Sequence, residues 1–169
     1  MIQVETAVED NWPKGDWERL AQQAVEAALA ASPHGDIASA PYLAEVSVRL
    51  TSDAEVQELN LHYRQKDKPT NVLSFPMVQP DLLDGLSDGD DGETLLGDIV
   101  LAYGVTAREA AEKGVAVEEH ATHLIVHGTL HLLGYDHEQG EAEAEHMEEL
   151  ERAALATLGF SDPYAIREA

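Results

Sequence analysis

Histidines are concentrated in one short part of this chain, and their spacing limits how that part can fold. Six of the eight histidines lie between His120 and His146. On an α-helix, which turns 100° per residue, the four histidines from His120 to His131 fall within about 80° of one another. Gly134 then supplies the left-handed stop with which helices commonly end. The spacing predicts a helix that ends near Leu133 and carries a row of imidazoles along one side.

Two pairs in this row have the i, i+4 spacing that lets two imidazoles bind one metal ion: His123 with His127, and His127 with His131. Gly134 lets the chain reverse, which returns His137 beside the final turn. His123 lies about 12 Å back along the helix from that turn. We therefore predict that His127, His131 and His137 hold a metal ion. His123 is expected to be a hydrogen-bonding partner behind a ligand.

A site of three neutral imidazoles leaves a fourth position of zinc open, which is typical of a catalytic site. Water activated there supplies hydroxide at neutral pH, so hydrolysis is the expected chemistry. Zinc peptidases carry a glutamate directly after the first ligand, where this chain has Gly128, and peptidase activity is therefore disfavoured. Gly128 is instead expected to allow a close approach by backbone or substrate. Asp136, beside a ligand, is a candidate supporting residue.

The metal is expected to be a single Zn²⁺ ion. The chain has no cysteine, so the ligands come from His, Asp or Glu. Imidazole also suits nickel, copper and iron, which leaves nickel or another divalent metal as an alternative. His120 and His146 lack comparable geometry and are expected to be ordinary buried or surface residues.

The rest of the chain has the pattern of an α+β protein. Apolar alternation predicts four strands, over residues 1–8, 46–50, 71–76 and 95–102. Apolar spacing of three and four predicts five helices, from Trp17, after a capping box at Ser52 and Glu55, from Thr106, over 117–133 and over 141–158. A length of 169 residues fits one domain, 1–169, since domains usually run about 100–200 residues.

An acidic segment interrupts this pattern between the third and fourth strands. Residues 79–93 contain six acids and four Gly or Pro, a composition that favours a solvated surface loop. The ligand order of a calcium-binding EF-hand is not met in any register of this segment. We predict an acidic loop without a calcium site.

The net charge of −23 would by itself argue against a nucleic-acid partner, because binding to phosphates relies on basic surface. Three of the ten basic residues, however, fall within five positions: Arg64, Lys66 and Lys68. A local basic patch can attract phosphate even where the net charge is negative. The alternative is a solvated loop in which these cations cluster by chance.

Four sequence blocks in order resemble the YbeY family of bacterial metal-dependent endoribonucleases. The hallmark HGxLHLxGYDH occurs as HGTLHLLGYDH, and LNLHYRQKDKPTNVLSFP from Leu59 is similar to a second hallmark. GDIVLA from Gly97 and TAREAA from Thr106 are similar to two further blocks. The resemblance covers roughly Leu43 to Gly159. It leaves out mainly the first forty residues and the acidic insertion.

The resemblance implies a fold and a set of residue roles. The fold would be a small mixed sheet with helices, related to zincins, with the metal at the C-terminal end of a central helix. His127, His131 and His137 match the family's metal ligands, and Arg64 matches its functional arginine. A guanidinium binds phosphate through two parallel hydrogen bonds and stabilises charge in the transition state. Lys66 and Lys68 are weaker candidates for contacts with the RNA backbone.

The resemblance also implies a single-strand endoribonuclease of ribosomal RNA maturation and ribosome quality control in the cytoplasm. Its substrate would be ribosomal RNA precursors, with ribosomal proteins or a GTPase assembly factor as further partners. The sequence begins without a basic and apolar leader, and its apolar runs are shorter than the ~20 residues of a membrane span. Secretion and membrane insertion are therefore not expected.

Two other functions fit the same residues. Three histidines on zinc specify activated water rather than its target, so the substrate could be an amide or a small molecule. Alternatively, a structural metal could stabilise a non-catalytic ribosome assembly factor whose acidic surface binds basic ribosomal proteins. Extraction of the metal distinguishes a structural ion from a catalytic one. Removal of a structural ion unfolds the chain, whereas removal of a catalytic ion yields a folded, inactive protein.

Overall fold

Four strands form one mixed sheet in the computed structural model, which describes residues 2–39, 43–78, 93–135, 140–160 and 162–164. The strands are β1 (Ile2–Val8), β2 (Leu43–Thr51), β3 (Val72–Pro76) and β4 (Glu93–Ala102). Their order in the sheet is β1-β2-β4-β3. β2 runs parallel to β1 and β4, whereas β3 is antiparallel to β4. The predicted mixed sheet of four strands is confirmed.

Five α-helices accompany the sheet within the described ranges, which confirms the predicted α+β class. They are α1 (Trp17–Ala31), α2 (Asp53–Arg64), α3 (Tyr103–Lys113), α4 (Val117–Leu132) and α5 (Glu141–Thr157). The predicted cap of α2 forms, because the Ser52 hydroxyl accepts a hydrogen bond from the Glu55 N–H at 3.2 Å. A 3-10 helix at Gly35–Ser39 was not predicted; its Gly and Asp favoured a plain break in the chain.

Apolar side chains are buried on both faces of the sheet, since successive strand residues point to opposite sides. In β4, Ile99 and Leu101 belong to the large core that includes residues of α1, α4 and α5. Val100 and Ala102 belong to a smaller core with residues of α2 and α3. The central helix α4 therefore lies on one face of the sheet, against β3 and β4.

Gly128 is the point at which α4 comes closest to the sheet. A Cβ atom at this position would lie 2.9 Å from Cγ2 of Ile99, closer than carbon atoms pack without repulsion. The neighbour is thus a side chain of β4, and not the backbone or substrate that the sequence led us to expect. The glycine sets the distance between the histidine helix and the sheet.

Several elements extend beyond their predicted limits, among them β2 and α3, which each begin three residues before the predicted start. α2 continues to Arg64, so this residue is helical rather than part of a loop. Most of the last two turns of α2 is polar, and only Val56 and Asn60 of the helix are buried, which leaves little apolar periodicity to recognise. β4 begins at Glu93, two residues before the predicted start, so the last residue of the predicted acidic loop belongs to this strand.

Two sequence predictions fall outside the described residues: the acidic loop, apart from Glu93, and the segment with Asp136 and His137. Both stay predictions, as does the single-domain assignment over 1–169. None of the helices in the described ranges has the length and apolar character needed to cross a membrane.

Candidate nuclease site

A cleft of about 550 Å³ lies between the end of α2, strand β3 and helix α4. Its lining includes three cations from the C-terminal end of α2 and the turn after it, and two histidines from α4: Arg64, Lys66, Lys68, His127 and His131. The residues predicted separately as a basic patch and as metal ligands therefore meet in one place. Phosphate binding and metal binding can take place side by side in this cleft.

The basic segment is held in place by the way α2 ends. Gln65 adopts a left-handed conformation, with φ of 57°, which turns the chain back along the helix. The N–H of Lys66 then donates to the carbonyl of Asn60, six residues earlier, at 3.2 Å. The Asn60 side-chain amide donates to the carbonyl of Lys68 at 2.9 Å. Arg64 is thus the last residue of a helix, and Lys66 and Lys68 lie in a turn that hydrogen bonds tie to that helix.

His127 and His131 direct their Nε2 atoms toward each other. These atoms are 3.1 Å apart. With zinc–nitrogen distances of about 2.05 Å, this separation subtends about 98° at a shared ion, close to the tetrahedral angle. The pair therefore fits two positions of one zinc ion. Within the described ranges no three His, Cys, Asp or Glu side chains group as a metal site, so the third ligand predicted, His137, stays a prediction.

Glu151 of α5 lies behind the histidine pair and was missed by the sequence analysis. One of its oxygens, Oε1, accepts a hydrogen bond from Nε2 of His123 at 2.7 Å and from the Tyr164 hydroxyl at 2.8 Å. Nδ1 of His127 lies 3.3 Å from the same oxygen. A proton on this Nδ1 leaves the lone pair of Nε2 directed at the position of the metal.

The electrostatics of this cluster follow from burial and hydrogen bonding. Burial alone would raise the pKa of Glu151, but hydrogen bonds with His123 and His127 outweigh it and hold that pKa at about 2. Burial, together with the charge of Glu151, raises the pKa of Tyr164 above its usual range. Glu151 is therefore an anion and Tyr164 a proton donor at neutral pH.

The remaining histidines of the predicted row have other contacts. His123 contacts Glu151, whose Oε1 also lies next to Nδ1 of His127. His123 is therefore linked to His127 through this shared carboxylate and not by a direct hydrogen bond. His120 is 3% exposed and its Nε2 lies 2.8 Å from Glu109. The ring of His146 packs against that of Tyr135, with 5.6 Å between the ring centroids. Neither His120 nor His146 lines the cleft.

The sequence held one sign of Glu151. The apolar spacing that predicts α5 comes from Met147, Leu150, Ala154 and Leu158, whereas the structure buries Met147, Glu151, Ala154 and Leu155. Glu151 is four residues after Met147 and so on the same helix face. Glu143, four residues before Met147, has the same spacing but is exposed, so the spacing indicated two candidate positions for a buried carboxylate. Tyr164 gave no comparable signal.

Comparison with known proteins identifies the family of this chain. A family model described as Endoribonuclease YbeY matches residues 3–159. A protein named Endoribonuclease YbeY from Rhizorhabdus wittichii is 67% identical over 169 residues, covering 99% of each chain. One of the same name from Sphingopyxis alaskensis is 58% identical over 166 residues, covering 98% of each chain.

A solved structure shares the fold. The solution structure of a Thermotoga maritima protein has a TM-score of 0.52 and 23% identity, covering 98% of this chain and 100% of the other. At that identity the likeness supports the fold alone. The family match and the relatives together place the chain in the YbeY family of endoribonucleases, and it is accordingly a nuclease that acts on RNA.

Proposed function

We propose that this endoribonuclease is zinc-dependent, cleaves single-stranded regions of ribosomal RNA precursors, and acts in ribosomal RNA maturation and ribosome quality control in the cytoplasm. The observation that carries the proposal is the meeting of Arg64, Lys66 and Lys68 with His127 and His131 in one cleft. A cleft of this composition suits a phosphodiester better than an amide, because an amide offers no charge for three cations to neutralise.

His127, His131 and His137 would hold the zinc ion. The 3.1 Å between the Nε2 atoms of the first two supports this choice, and so does the acceptor that Glu151 places beside Nδ1 of His127. When bound, zinc activates water for hydrolysis at neutral pH. Because Gly128 stands where zinc peptidases have a glutamate, no carboxylate directly after His127 is available to accept the proton of the activated water.

Arg64 would bind the phosphate that is cut. Its guanidinium can donate two parallel hydrogen bonds to non-bridging oxygens and stabilise the negative charge that builds up there in the transition state. Lys66 and Lys68 would contact phosphates farther along the strand, where they add affinity without reading sequence. Asn60 would keep these residues in register through its bond to the Lys68 carbonyl.

Ribosomal proteins or a GTPase assembly factor are proposed as further partners. A chain with a net charge of −23 repels RNA over most of its surface, and basic ribosomal proteins could offset this repulsion. A pulldown with ribosomal proteins that weakens as salt is raised would support such a partner.

The test compares RNA cleavage by purified protein, free of other nucleases, with cleavage by two variants. His131→Ala is expected to lose metal and cleavage together while circular dichroism shows an intact fold. Arg64→Ala is expected to keep its metal and lose cleavage by at least about 100-fold, as when a donor to transition-state charge is removed. Arg108→Ala, which removes an exposed cation outside the cleft, is the matched control.

Two results would contradict the proposal. Equal cleavage by the wild-type protein and His131→Ala would mean that the histidine pair is not needed. Unfolding of the wild-type protein on chelation would show that the metal is structural rather than catalytic.

A further inference from the structure

A second cavity, of about 320 Å³, adjoins the cleft at the histidine helix. Both cavities are lined by Asn71 and His127, so they lie on either side of these two residues. The volume is at the lower end of the range for small-ligand pockets, about 300 to 1,000 Å³. A group attached to a phosphate in the first cavity could therefore extend into the second.

The charges of the two cavities differ. The cleft holds the cations Arg64, Lys66 and Lys68. The second cavity is lined by two carboxylates, Glu109 and Glu112, and by one ammonium group, that of Lys113. Phosphate is attracted to the first and gains nothing from the second. The part of a nucleotide that suits an acidic cavity is its uncharged base, which presents N–H donors at its edge.

Glu109 is the carboxylate that the surrounding structure holds in place. Its Oε1 accepts a hydrogen bond from the Asn71 amide at 3.1 Å, and Nε2 of His120 lies 2.8 Å from it. The Asn71 side chain is itself fixed, because its Oδ1 accepts from the Val72 N–H at 2.7 Å. The Glu109 side chain is 31% exposed. A carboxylate held in this way is an oriented acceptor that needs little reorganisation to bind a donor.

The same cavity has aromatic residues in its wall. The rings of His123 and Tyr164 line it and meet edge to face, with centroids 5.5 Å apart. His123 is 7% exposed, and its Nδ1 has no hydrogen-bond partner within the described residues. Unpaired bases of single-stranded RNA are recognised by stacking on aromatic rings and by hydrogen bonds to their edges. The cavity offers both kinds of contact.

We propose that the second cavity binds a nucleobase adjacent to the cut phosphodiester, and that Glu109 selects a base with an exocyclic amino group over uracil. The carboxylate only accepts hydrogen bonds. Adenine, cytosine and guanine each offer an amino group, whereas uracil offers only its ring N3–H, which lies between two carbonyls that a carboxylate repels. This inference rests on the proposed function, because the base reaches the cavity only when its phosphate lies in the cleft.

The test maps the positions that the full-length, metal-loaded protein cuts in a pool of short single-stranded RNAs of random sequence. At one position flanking the cut, uracil is expected to be depleted about five-fold relative to the three amino-bearing bases, since one such contact discriminates by about 1 kcal/mol. Glu109→Gln is expected to bring uracil within about two-fold of the others, because an amide can also donate to its carbonyls.

Glu118→Gln is the matched control. It removes the same charge from an exposed position at the start of α4, outside the cavity, and should leave the base preference unchanged. Thermal unfolding and metal content are measured for each protein, so that a loss of fold is not mistaken for a loss of selectivity.

Three outcomes would overturn the inference. Cleavage by the wild-type protein without a flanking base preference would do so and leave the proposed function standing. Slower cleavage by Glu109→Gln with an unchanged preference would show that Glu109 only supports His120. No cleavage by the wild-type protein would remove the proposed function, and the inference with it.

Discussion

At the scale of single residues, the chemistry of the cleft depends on groups that do not line it. Glu151 is 1% exposed, and a buried carboxylate is costly unless hydrogen bonds replace its water. His123, His127 and Tyr164 supply these around a single oxygen. The contact with His127 also orients the ring of this predicted metal ligand. The same hydrogen bonds therefore stabilise the carboxylate and position the histidine.

Substitution of Glu151 should therefore weaken metal binding. Glu151→Ala is expected to lower zinc affinity by about 10- to 100-fold, the usual effect of losing a carboxylate behind a histidine ligand. Glu151→Gln keeps an oxygen acceptor without the charge, so its zinc affinity should fall between those of the wild-type protein and Glu151→Ala. Competition with a coloured chelator measures the affinity, and Glu149→Gln, at an exposed position of the same helix, is the control. Equal affinities for Glu151→Ala and Glu149→Gln would contradict this role.

His120 should make stability depend on pH. Burial is the main influence on the pKa of His120 and lowers it below 6.5, against the opposing effect of the Glu109 hydrogen bond. Below pH 6.5 the unfolded chain therefore binds a proton that the folded chain resists. The free energy of unfolding consequently decreases as the pH is lowered. His120→Gln should lose less stability between pH 7.5 and 5.5 than the wild-type protein. Urea unfolding at both values measures this, and equal losses would count against it.

At the scale of secondary-structure elements, what could be predicted depended on apolar periodicity. β4 and α4 carry strong apolar patterns, and both were recognised from sequence. The last two turns of α2, up to Arg64, bury only Asn60, a polar residue whose role appears only when its bond to the Lys68 carbonyl is seen. Periodicity finds elements that bury apolar surface, and it cannot reveal a helix end held by hydrogen bonds.

The same limit explains the site. His127, His131 and Arg64 were found because spacing and local sequence mark them. Glu151 and Tyr164 reach the histidines from segments 24 and 41 residues away along the chain, as the separations of His127 from Glu151 and of His123 from Tyr164 show. No local pattern records such a contact. Their discovery required the packing of α5 against α4.

The packing of α4 on the sheet gives a prediction at this scale. Gly128→Ala should destabilise the protein, because its Cβ would lie 2.9 Å from Cγ2 of Ile99, a β-branched residue that cannot easily turn away. Overpacking costs about 1 to 3 kcal/mol, and the higher helix propensity of alanine recovers about 1. Urea unfolding should show a net loss of about 0 to 2 kcal/mol.

The double variant Gly128→Ala with Ile99→Ala provides the check on that explanation. If the clash with Ile99 is the cause, the double variant loses less stability than the sum of the two single losses. Additive losses would place the strain elsewhere in the packing of α4.

At the scale of the whole molecule, a net charge of −23 and a basic cleft coexist. The two act over different distances. At about 0.1 M salt the Debye length is about 10 Å, so carboxylates on distant surfaces are largely screened from a phosphate in the cleft. Cations in direct contact with the strand are not. Net charge therefore governs how RNA approaches, and the residues of the cleft govern how tightly it is held.

The salt dependence of RNA binding should separate these effects. Each cation that neutralises a phosphate of single-stranded RNA contributes about −0.7 to the slope of log affinity against log salt concentration. Lys66→Ala and Lys68→Ala are each expected to make the slope shallower by about 0.7, while Lys14→Ala, outside the cleft, leaves it unchanged. Fluorescence anisotropy of a labelled single-stranded RNA between 50 and 300 mM salt measures the slopes, with cleavage stopped by chelation.

Because the distant carboxylates act alike on the wild-type protein and the three variants, the difference between slopes reports the contacts in the cleft alone. Identical slopes for the three variants would mean that Lys66 and Lys68 are solvated residues that do not touch the RNA.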